Sequence, residues 1–161
     1  GVVAIRYSPD GRGDYDRSMI GWDDHAVHGN IFEIMRQRGP QFDQSVSALI
    51  EDLDQRGLTD EVLVVLVGEF GRTPRVNKTG GRDHWGALMS ILLAGGGLKV
   101  GQVIGRSNSK GEMPAERPIH PNDVLATMYR HLGIDLSGHT INNAGRPIPL
   151  LPGGQPIEEL I

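Results

Sequence analysis

Two apolar runs limit what this chain can fold into more than any other feature. Val62-Leu63-Val64-Val65-Leu66-Val67 is six apolar residues in succession, and residues 88–94 form a second run broken only by Ser90 before it ends in Gly95-Gly96-Gly97. A strand with water on one face alternates apolar and polar side chains, whereas a strand covered on both faces does not. Both runs therefore predict buried strands, and residues 2–7 predict another with the same β-branched character. Between these runs lie helical patterns. Phe42, Val46, Leu49, Ile50 and Leu53 repeat at one face of a 3.6-residue period, with Gly57 placed to end the helix. Ile31, Ile34 and Met35 predict an earlier helix, interrupted at Gly39-Pro40 before the next one restarts at Gln41. A third begins at Pro121, runs along Val124, Leu125, Met128, Tyr129 and Leu132, and closes at Gly133. The Gly- and Pro-rich tail predicts a short edge hairpin over residues 147–157. Strands alternating with helices predict an α/β layer fold, a mostly parallel sheet flanked by helices, with its ligand site beyond the carboxyl ends of the strands.

Composition narrows the chemistry. At 161 residues the chain has the size of one domain, and its 16 basic and 20 acidic residues give a net charge of −4 with the basic ones scattered along the sequence. That balance disfavours a nucleic-acid partner. No stretch approaches the roughly 20 apolar residues that cross a bilayer, so no membrane span is expected. The chain has no cysteine, so any metal must be held by His, Asp and Glu.

Those residue types collect at the ends of the predicted strands. Asp23, Asp24, His25 and His28 follow the first, Glu69 follows the run 62–67 directly, and Asp83 and His84 precede the run 88–94. Asp23 with His25 is the favoured ligand pair, and Asp24 with His28 at Asp-x-x-x-His spacing is the alternative. Glu69 competes between capping the Gly-Arg-Thr-Pro turn and binding a metal, while Asp83 competes between an ion pair with Arg82 or Arg72 and a ligand role. Carboxylates and imidazoles meeting on one rim would suit a divalent cation, Zn, Mn, Mg or Ca, acting as a Lewis acid. Arg72, with its bidentate fork, is the candidate to clamp an oxyanion. His131 and His139 lack acidic neighbours and are read as structural, His120 as a helix-entry residue, and Gly95-Gly96-Gly97 as a turn.

Five motifs in order, Gly21-Trp22-Asp23-Asp24-His25, Gly68-Glu69-Phe70-Gly71-Arg72-Thr73-Pro74, Gly81-Arg82-Asp83-His84-Trp85, Leu92-Leu93-Ala94-Gly95-Gly96-Gly97 and Gly101-Gln102-Val103-Ile104-Gly105, resemble domain-of-unknown-function family 1501, a bacterial family within the alkaline phosphatase and sulfatase superfamily. The resemblance covers nearly the whole chain. It implies that residues 1–161 are the C-terminal portion of a single alkaline-phosphatase-like domain, incomplete by itself, with Asp23, His25, Glu69 and His84 as metal ligands. Phe70 stands where the superfamily has a second ligand beside its acidic one. The superfamily's Ser, Thr or formylglycine nucleophile has no match here, which implies that the remainder of a parent chain supplies it. Export from a bacterial cytoplasm is implied in the same way. The resulting expectation is a metal-dependent hydrolase of small anionic phosphate or sulfate esters, with Asp23, His25, Glu69, Asp83 and His84 around the metal and Arg72 on the oxyanion. The expectation from another class is a non-catalytic ligand-binding or surface scaffold protein that keeps the pocket.

Overall fold

A computed structural model describes residues 1–7, 21–25 and 30–161. Helix α1 spans Ile31–Gln55 and is followed by strands β1 (Leu63–Leu66), β2 (Gly71–Arg72), β3 (His84–Trp85), β4 (Leu92–Gly95), β5 (Arg106–Ser107) and β6 (Pro114–Glu116). Helix α2 (Pro121–His131), strands β7 (His139–Ile141) and β8 (Pro147–Pro149), and a 3-10 turn at Glu158–Leu160 complete the order.

The parallel α/β sheet expected from the sequence is not formed among the described residues. Among the described residues the strands make four two-stranded sheets, β1 with β4, β2 with β3, β5 with β6 and β7 with β8, all antiparallel. The physical reason lies between the two apolar runs. Parallel neighbours need a crossover of a dozen or more residues, usually helical, and residues 67–91 carry no helix. Their polar chain instead folds back through β2 and β3, delivering β4 antiparallel to β1 with Leu63 opposite Gly95 and Leu66 opposite Leu92. The alkaline-phosphatase-like sheet fails with it. Residues 2–7 form no strand, and Val2, Val3 and Ile5 are exposed.

The helices match the pattern more closely. Pro40 does not split the first one: α1 runs through it unbroken. A proline removes one intrahelical bond, and the anchors in the turns before it outweigh that loss. Asn30 caps the start, its Oδ1 accepting from Phe32 N at 2.9 Å, and Arg38 is locked to Asp24 within the same half of the helix. Helix α2 starts at Pro121 as expected, and His120 is its N-cap, its backbone N–H donating to Asp123 Oδ2 at 2.8 Å. Gly133, at φ 70°, ends the segment in the left-handed region. The tail hairpin forms earlier than expected, β7 pairing with β8 over residues 139–149.

The best-buried apolar side chains are Ile34, Ala126, Ile157 and Leu160. Three of these tie α2 to the C-terminal segment. Thr127, also buried, joins them by its hydroxyl, which donates to Asp123 O at 2.8 Å and accepts from Ile157 N at 2.9 Å.

Candidate metal centre

The hairpin of β2 and β3 sets the geometry of the site. Its register places Arg72 opposite His84 and Gly71 opposite Trp85, so Arg72 and His84 project from the same face. Gly71 is required by packing, since a Cβ there would lie 1.7 Å from Leu88 O. Residues 21–25 are clipped against this hairpin and against α1. Arg82 N donates to Asp24 O at 2.8 Å, and both Asp24 carboxylate oxygens accept from Arg38 Nη1, at 2.9 and 2.8 Å, in a pair whose side chains are only 9 % and 5 % exposed. Arg38 also lies over the Trp22 ring, 5.9 Å from its centroid, and Trp22 packs edge-on against Phe42 of α1.

With its neighbour Asp24 held this way, Asp23 turns to the hairpin. Its Oδ1 accepts from Arg72 Nη2 at 2.7 Å and lies 2.7 Å from His84 Nε2. His25 Nδ1 approaches the same oxygen at 2.9 Å but out of line for a hydrogen bond, and it is shielded from solvent with no other partner. One donor atom each from Asp23, His25 and His84 lies within 4.8 Å of the others, close enough to share an ion whose ligand bonds are about 2 Å long. The hydrogen bonds from His84 and Arg72, followed by the close approach of the His25 ring, hold the Asp23 carboxyl far below the usual carboxylate range. It is an anion at any ordinary pH. Phe70 packs on His84 with ring centroids 4.3 Å apart, and the two imidazoles meet edge to face at 5.2 Å. Phe70 thus fixes the ring of a donor.

The site residues named from sequence therefore divide. Asp23, His25 and His84 converge. Glu69 does not join their cluster and is exposed beside Phe70. Asp83 does not join it either: it lies just before β3, and its Oδ1 accepts instead from Asn77 Nδ2 at 3.1 Å. Asp24 is occupied by Arg38, and His28 lies outside the described residues. Arg72 is not poised for an incoming oxyanion, because besides Asp23 its guanidinium donates to Trp22 O at 3.1 Å and Arg82 O at 3.3 Å. It positions Asp23. His131 is structural as read, with Nδ1 3.2 Å from Gly96 O. Sequence reasoning missed Arg38, whose arginine among apolar helix positions, eight residues after the Asn30 cap, was the available signal.

The donors are two imidazoles and a carboxylate, the set found on zinc and other borderline cations, and His25 Nδ1 is shielded from solvent 2.9 Å from Asp23 Oδ1 without an in-line hydrogen bond, an arrangement that a shared cation would satisfy. The residues fit a divalent metal. Among the described residues no helix is long and apolar enough to cross a membrane. A family model described as a protein of unknown function, DUF1501, matches residues 3–161. No curated protein and no solved structure matches the chain.

Proposed function

The chain belongs to the DUF1501 family, and within it we propose a metal-dependent hydrolase of phosphate or sulfate esters. The observation that carries the proposal is the convergence of Asp23, His25 and His84 within 4.8 Å. The likeness of its motifs to the alkaline phosphatase and sulfatase superfamily supports the ligand chemistry alone, since the sheet of that superfamily is not formed.

A bound divalent ion would supply Lewis-acid stabilisation of charge on the transferred group and would activate a nucleophile. The protein's own residues prepare for it. Arg72 and its carbonyl acceptors fix the Asp23 carboxylate and keep it ionised. Phe70 orients His84, and the Asp24–Arg38 pair holds the 21–25 segment that carries the other two donors.

A second reading, a ligand-binding protein without turnover, is favoured by the state of Asp23: with Arg72 and His84 already on its Oδ1, the cluster holds together without an ion. Assay of the metal-loaded full-length protein on 4-nitrophenyl phosphate and 4-nitrophenyl sulfate separates the two. The enzyme reading predicts turnover of one ester that a chelator abolishes and that His84→Ala lowers at least about 100-fold. Metal binding with neither ester cleaved leaves the ligand-binding reading in its place.

A further inference from the structure

The basic residues, scattered along most of the chain, have a local excess beside the metal cluster. Residues 72–83 contain Arg72, Arg75, Lys78 and Arg82 against the single carboxylate of Asp83, in a chain whose net charge is −4. Two of these cations are engaged. Arg72 is bound as described, and Arg82 donates through Nε to Thr73 O at 2.5 Å and through Nη2 to Arg72 O at 3.1 Å. Arg75 and Lys78 are exposed and have no ion-pair partner among the described residues.

The loop that presents them is rigidly stitched. Asn77 Oδ1 accepts from Thr79 N at 3.1 Å, Thr79 Oγ1 at 2.9 Å and Gly81 N at 2.9 Å, and Asn77 N donates to Gly81 O at 2.8 Å. Thr73 Oγ1 donates to Arg75 O at 2.8 Å and accepts from Asp83 N at 3.1 Å. Thr73, Arg75, Val76, Asn77, Lys78 and Asp83 line an open cleft of about 360 Å³, within the range that small-molecule sites occupy. Two exposed like charges carried on a preorganised backbone favour an anion, because little backbone ordering remains to oppose its binding. The Asp83 carboxylate adds a constraint. It repels a bare dianion but accepts a hydrogen bond from a hydroxyl, so the lining suits a ligand carrying both groups.

We propose that this cleft binds an oxoanion, phosphate or sulfate, borne on a hydroxylated small molecule, with Arg75 and Lys78 on the oxoanion and Asp83 accepting from a neighbouring hydroxyl. Asp83 lines the cleft whereas His84 belongs to the metal cluster, so this site shares no residue with that cluster and does not depend on the hydrolase reading. Isothermal titration calorimetry of the full chain at low salt tests it, with glucose 6-phosphate, glucose 6-sulfate, inorganic phosphate and glucose as probes. Both sugar esters bind, glucose does not, and glucose 6-phosphate binds more tightly than inorganic phosphate. Replacing Arg75 and Lys78 together by Ala lowers affinity for both esters at least about tenfold and flattens the salt dependence. Asp83→Ala removes the preference for glucose 6-phosphate over inorganic phosphate, and His84→Ala changes nothing. Neither ester binding, or an unchanged affinity in the double variant with far-UV circular dichroism intact, overturns the proposal. Binding lost in His84→Ala and kept in the double variant assigns the anion to the metal cluster and overturns it equally.

Discussion

Asp23 and Asp123 are both carboxylates that join segments far apart in the chain, and both are held below the usual carboxylate range, but by donors of different kinds. Asp123 accepts from two backbone N–H groups, Gln155 at 2.9 Å and His120 at 2.8 Å, and these bonds, in that order, lower its pKa. Asp23 is surrounded by side chains, His84, Arg72 and His25, two of which are metal ligands by type. Backbone donors cannot leave their acceptor without unfolding the segment, whereas imidazoles can turn to an ion. The same residue type therefore serves as a structural latch at the start of α2 and as an exchangeable hub between the 21–25 segment and the β2–β3 hairpin.

The comparison breaks first at Arg38. Replacing it by Met leaves the Asp24 carboxylate buried and unpaired, which costs about 3–5 kcal/mol, read as a lowered midpoint in urea. Because Asp24 holds the segment that carries Asp23 and His25, the same variant loses metal affinity. A smaller effect is expected from Asp123→Ala. It removes two hydrogen bonds at a helix start and lowers stability by about 1–2 kcal/mol, while metal binding stays unchanged. Loss of metal in Asp123→Ala, or retention in Arg38→Met, would mean that the two regions are not separable as described.

The smallest effect is the pH dependence of the latch. The folded-state pKa of Asp123 lies below its unfolded value of about 3.9. Its contribution is therefore complete above that pH and is lost as pH falls through the lowered folded value. Urea midpoints of wild type and Asp123→Ala, compared from pH 6 downward, should converge below pH 4. A constant gap would show that the carboxylate's charge is not what the backbone donors respond to.

Much of the site was legible because ligand chemistry is a matter of residue type: Asp, His and His at the borders of apolar runs are visible without coordinates. Their division was not. That His84 faces Asp23 beside Arg72 depends on where a two-residue strand pair begins and on its register, which neither composition nor periodicity encodes. Arg72 is ambiguous for a related reason, since an arginine after a strand looks the same whether it awaits an anion or already holds a carboxylate. The helices were legible in their faces and ends, except that Pro40 was given more power to break α1 than its anchors allow. The sheet failed on one inference, that continuous apolar runs mean parallel strands. The helix-free, turn-rich sequence between β1 and β4 carried the contrary signal.

The central claim is that Asp23, His25 and His84 share one ion. Elemental analysis of the full chain after equilibration with Zn2+ or Mn2+ and exhaustive dialysis tests it directly. One ion per chain in wild type, and none when His25 and His84 are both replaced by Ala, is the predicted result. No bound ion in wild type, or an ion retained by the double variant with its fold intact, would contradict it.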